Sequence, residues 1–157
     1  MRMRNFYQEA RVDMIHNPGA ITTGVIPSTY LDTSEYDRVV FLIALGATDN
    51  NFDAVARQAT SAAGAGAKNV SYVNNAGTTV TAQITQLAGT DDNKYASIEI
   101  PVSKLDIANG FRYVALSCTV AGTTTAAIWA ISYPARNLPV TQPAAWDEAV
   151  ELYETGL

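Results

Sequence analysis

The chain is poor in the side chains that most often carry chemistry. Its 157 residues hold one cysteine, Cys118, and one histidine, His16. A lone cysteine excludes an internal disulfide and a cysteine-based metal cluster. A lone histidine excludes a histidine-rich metal site. A Ser-His-Asp triad would have to use His16, which stands before the turn-forming run Asn17-Pro18-Gly19 with no rigid scaffold to orient the ring. Charge is scarce as well, at 16% of residues against a usual share of roughly a quarter. The net charge is −5. Nucleic acid and anionic membrane surfaces need clustered Lys and Arg, so neither is an expected partner. No apolar run approaches the ~18 residues of a spanning helix. The basic start, Met1-Arg2-Met3-Arg4, is not followed by the apolar core of a secretory signal. Phosphate-binding glycine patterns are missing, and Gly64, Gly66 and Gly77 read as turn residues. The aspartates 49, 53, 91 and 92 lack calcium-loop spacing and read as turn formers. No cofactor, no metal and no enzymatic activity are expected.

Apolar residues make up 48% of the chain. A surface this short of charge suits a protein that buries its outside against partners. The stretch Tyr36 to Gly46 organises the rest. Within it Arg38–Leu45 reads as a central strand, with Val39, Phe41, Ile43 and Leu45 on one face and Val40, Leu42 and Ala44 on the other. A buried helix segment is the rival reading, disfavoured by the β-branched and aromatic content. A strand apolar on both faces needs cover on both, from a second sheet, an arm or another subunit.

Three regions follow from the pattern. Residues 1–35 read as an extended N-terminal arm, with a helical turn possible over 6–14. The arm is rich in apolar residues and is expected to lie on a neighbour. Residues 36–134 carry turn signals roughly every ten residues, the mark of a sandwich or barrel. Strands are expected over 53–62 (a short helix being the alternative), 70–73, 78–87, 95–102, 112–120 and 124–133. The run Asn74-Asn75-Ala76-Gly77 cues a hairpin, and Ala121-Gly122-Thr123 reads as another. Cys118 reads as an inert core thiol. Ala127, Trp129, Ile131 and Tyr133 share a face. Trp129, Tyr113 and Tyr133 are candidates for a sugar-stacking platform, with core or interface packing as the other reading. Residues 135–157 form a C-terminal extension. Trp146, Ala149, Val150 and Tyr153 fall at i, i+3, i+4 and i+7, so a short amphipathic helix is expected, its other face carrying Asp147, Glu148, Glu151 and Glu154. The fold class is thus all-β, an antiparallel β-sandwich or jelly roll with an N-terminal arm and a C-terminal helix.

Four stretches carry a family resemblance: 34–49 (Ser-Glu-Tyr-Asp-Arg-Val-Val-Phe-Leu-Ile-Ala-Leu-Gly-Ala-Thr-Asp), 87–95 (Leu-Ala-Gly-Thr-Asp-Asp-Asn-Lys-Tyr), Phe111-Arg112-Tyr113-Val114 and 133–140 (Tyr-Pro-Ala-Arg-Asn-Leu-Pro-Val). Together they resemble small structural proteins of tailed bacteriophages, some of which are head decoration, or cement, proteins. The resemblance spans roughly residues 20–140 and rests on strand-and-turn patterns. It implies a homo-oligomer, dimer or trimer, on the capsid exterior of the virion, bound to the major capsid protein at two-fold or three-fold positions. The expected partner-binding residues are Phe6, Tyr7, Met14 and Ile15 in the arm and Trp146, Val150 and Tyr153 in the terminal helix. A head–tail connector or tail component is the alternative, and a carbohydrate-binding or adhesion module the second.

Overall fold

The computed structural model describes residues 6–144 apart from positions 23, 27, 28, 50, 74 and 88. One helical turn, α1 (Phe6–Glu9), precedes the strands β1 (Arg11–Ile21), β2 (Gly24–Ile26), β3 (Leu31–Asp32), β4 (Tyr36–Thr48), β5 (Phe52–Ala59), β6 (Lys68–Asn69), β7 (Ser71–Val73), β8 (Thr79–Thr81), β9 (Gln83–Leu87), β10 (Tyr95–Pro101), β11 (Tyr113–Val120) and β12 (Thr124–Ala135). The first sheet runs β1-β12-β4-β10. The second is built on β2-β11-β5-β6, with β3 also on β11 and β9 also on β5. All these pairings are antiparallel. Along the chain, β1, β4, β10 and β12 fall in one sheet and the strands between them, the β7–β8 pair apart, in the other. That is the two-sheet jelly roll.

The alternation of β4 sets the core. Val39, Phe41, Ile43 and Leu45 point at the second sheet and are buried. They meet Phe52, Ala54 and Ala56 of β5 and Val114, Leu116, Cys118 and Val120 of β11, with Ile128 and Ala130 of β12 beside them. Two aromatic and many β-branched side chains in one sealed layer make this the main source of stability. Burial pushes the Cys118 thiol up to about 12, as an inert core thiol requires.

Three sequence expectations change. The N-terminal arm is, for most of its described length, paired strand. Arg11–Ile21 lies along β12, and the short β2 and β3 lie along β11. Register shifts between Met14 and His16 and between His16 and Gly19 break the two-residue period there, so local pattern reads as irregular. Ala121-Gly122-Thr123 joins β11 to β12, which belong to different sheets, so it is a crossing between layers and not a hairpin. It is tied to the β4–β5 crossing by Asp49 N–H to Thr123 O at 2.9 Å and Ala121 N–H to Asn51 O at 3.1 Å. The strand expected over 78–87 is split into β8 and β9 at Ala82, whose N–H donates to Val70 O while its carbonyl accepts from Ala56 N–H of β5. The β7–β8 hairpin stands as a separate two-stranded sheet, as its turn residues indicated. The expected C-terminal helix lies outside the described residues.

Candidate interaction surface

Because β4 and β12 are apolar on both faces, burying one face leaves the other apolar too. The outer face of the first sheet follows from register. On β12, Trp129 and Ile131 point away from the core; they sit opposite Leu42 and Val40 of β4 on one side and Met14 and Val12 of β1 on the other. Met14 is exposed, and the other five are half-buried. Polar contacts lie at the margin. Arg38 pairs with Glu99 at 2.6 Å and its guanidinium stands 5.7 Å from the centre of the Tyr133 ring. The hydrogen bond to Glu99 raises the Arg38 pKa further.

Further large apolar side chains stand exposed at separate places. Phe6 (58%) and Leu138 (39%) lie before and after the sandwich in the chain. Tyr72 (41%) and Val73 (63%) are on the β7–β8 hairpin. Tyr95 (81%) begins β10, the edge strand opposite β1.

The expected contact residues separate on this framework. Phe6 and Met14 face outward. Tyr7 is half-buried, and its carbonyl accepts from Gln142 Nε2 at 2.8 Å. Ile15, at the first register shift, packs against the core. Trp146, Val150 and Tyr153 lie outside the described residues. Gln142 has no local sequence signal. Its Nε2 also donates to Ala10 O at 2.6 Å, and its Oε1 accepts from Val12 N–H at 3.1 Å. With Val140 N–H on Gln8 O at 3.1 Å, the segment after the last strand is stitched along α1 and the start of β1.

The other candidates take structural places. Asp92 Oδ1 accepts the Thr48 N–H at 2.8 Å, and Asp91 pairs with Lys94 at 3.2 Å, so both serve a turn. His16 lies on β1 opposite Ile128, with its Nδ1 buried and without a hydrogen bond among the described residues. Trp129 and Tyr133 share the outer face of the first sheet, whereas Tyr113 is on the second sheet, so the three do not form one platform. Among the described residues, no three His, Cys, Asp or Glu side chains gather as metal ligands would.

A groove of about 560 Å³ at one end of the sandwich is lined by Arg38, Arg112 and Arg136 with Asp37, Ser34 and Ser103. Each guanidinium has its own carboxylate, Glu99, Asp32 and Asp37 respectively. The charges balance, so the groove is not an anion trap.

No protein-family model and no curated protein matches the chain. Among solved structures it is similar to the SPBc2 prophage-derived protein YomS, with 13% identity over 79% of this chain and 94% of that one and a TM-score of 0.47. It is similar to a chain of Triatoma virus, with 13% identity, 89% and 73% covered and a TM-score of 0.44. The Tobacco streak virus coat protein is similar at 13% identity, with 92% and 94% covered and a TM-score of 0.30. Likeness at this level assigns no family.

Proposed function

We propose that the protein is a structural component of a phage virion, a decoration protein that binds the outside of the head lattice. The observation that carries this reading is the scatter of exposed apolar anchors. Phe6 is at the β1 end, Tyr95 at the opposite edge strand, and Tyr72 and Val73 on the hairpin. A protein with one partner concentrates its anchors in one patch. A lattice subunit touches several neighbours, each weakly, and gains avidity from the sum. The sparse charge and the strand-and-turn resemblance to small phage structural proteins support the same reading. Jelly rolls also serve as lectins. That use is not favoured here, because the cross-strand neighbours of Trp129 are the apolar Leu42 and Met14.

The test is the copy number of this chain in particles purified from the phage that encodes it, by quantitative mass spectrometry against the major capsid protein. Many copies in a simple ratio support decoration. A handful points to the connector or tail. None overturns the virion reading. Deleting residues 1–20 is a poor test of contact, because it removes β1. Tyr95→Ser, Val73→Asp and Phe6→Ser change one anchor each and are expected to weaken head binding singly without unfolding the sandwich.

A further inference from the structure

The outer face of the first sheet presents Val12, Met14, Val40, Leu42, Trp129 and Ile131 on three adjacent strands. Contiguous apolar surface of this kind marks a site that something covers. We propose that residues 145–157 of the same chain dock across it, so that the C-terminal segment serves as a third layer over the sandwich.

The point of departure favours this occupant. The described chain ends at Ala144. Two residues earlier Gln142 is fastened to Tyr7, Ala10 and Val12. Val12 itself belongs to the outer face, so the segment starts at the rim of the surface it would cover. Length is sufficient. Thirteen helical residues would span about 20 Å, while the strand axes from β1 to β10 are about 14 Å apart. The pattern is complementary: Trp146, Ala149, Val150 and Tyr153 make one apolar stripe, and Asp147, Glu148, Glu151 and Glu154 take the other side, toward water. Tethering by so short a span gives the segment a local concentration no separate partner matches. The inference does not depend on the virion reading.

Trp129 and Trp146 are the only tryptophans, one on the face and one in the segment. Each reports when the other is removed. In full-length W129F, docking predicts that Trp146 emits in the blue and resists acrylamide; red-shifted, freely quenched emission overturns the proposal. In full-length W146F, Trp129 is expected to be protected, and in a chain ending at residue 144 to shift red and quench more readily, with an unchanged strand signal in circular dichroism. An unaltered Trp129 overturns it. Should the shortened chain not fold, V150D/Y153D in the W146F background reads the same change. Monomer mass with Trp146 protection that survives dilution supports docking within one chain. A dimer whose protection is lost on dilution places the segment on a second copy and overturns the proposal as stated.

Discussion

Gln142 holds Val12 across 130 residues of sequence, its Oε1 accepting the Val12 N–H at 3.1 Å. The same side chain donates to two carbonyls, Tyr7 O and Ala10 O. One amide thus satisfies three backbone groups where α1 turns into an edge strand.

Replacing it tests how much that edge depends on it. Gln142→Ala leaves a part-buried donor and two acceptors without these partners, and each such loss costs roughly 1–3 kcal/mol when water cannot replace it. The expected result is a lower urea midpoint with faster hydrogen exchange confined to residues 7–14. Gln142→Glu keeps the acceptor for Val12 but places a charge against two carbonyls, and is expected to be no better than alanine. Exchange that rises evenly over the whole chain would show that the clamp is not local.

Adjacent residues of β4 separate the two faces of the first sheet. Ile43 is fully buried between the sheets, and Leu42 points outward. Ile43→Ala is expected to cost roughly 2–5 kcal/mol through lost transfer energy and a residual cavity. Leu42→Ala, in a chain ending at residue 144, is expected to cost about 1 kcal/mol, in the range of ordinary partly exposed sites. Denaturant unfolding of the two variants gives the comparison directly. Equal losses would mean that the outer face is packed as tightly as the core.

Two glycines with positive φ make a similar pair. Gly64 has φ +78°, and an added Cβ there would come within 2.7 Å of Tyr30 Cε2. Gly77, in the β7–β8 turn, has φ +75° with open space around it. Alanine at either position pays a left-handed backbone cost of about 1–2 kcal/mol. Gly64→Ala must also displace the Tyr30 ring, so its thermal midpoint is expected to fall below that of Gly77→Ala. The reverse order would mean that the Tyr30 ring moves aside freely.

The sequence made β4 legible because Val39 to Leu45 is an unbroken apolar run rich in β-branched and aromatic side chains. It could not say which face is core, since Val39, Phe41 and Ile43 are matched by Val40, Leu42 and Ala44. That choice belongs to the second sheet. β1 was hidden because its register shifts and Pro18 erase the period. The crossing at 121–123 was misread because a short polar turn looks alike whether it joins neighbours in a sheet or passes between layers. Gln58 and Gln142 were invisible for a different reason. Gln58 is buried and accepts the Asp106 N–H at 2.9 Å, a partner 48 residues away, and nothing local marks such a pair. Of the contact residues, Phe6 and Met14 were readable as apolar side chains without a core to join, whereas Ile15 was turned inward at the register shift.

The buried thiol of Cys118 ties stability to alkaline pH. Burial raises it from 9.0 to about 12. Over that interval the folded chain keeps a proton that the unfolded chain gives up. The unfolded state then binds fewer protons, so stability falls as pH rises. This group contributes nothing to the slope well below pH 9, and up to about 1.4 kcal/mol per pH unit between the two values. Tyr36, raised by burial, acts in the same direction. Cys118→Val removes the thiol's share alone. Urea midpoints measured for both chains from neutral to alkaline pH are expected to keep a constant gap up to about pH 9. Above that, the parent chain should lose ground to the variant. Parallel curves through pH 11 would mean that the thiol titrates alike in both states, and with it the sealed layer between β5, β11 and β4 would have to be open to water.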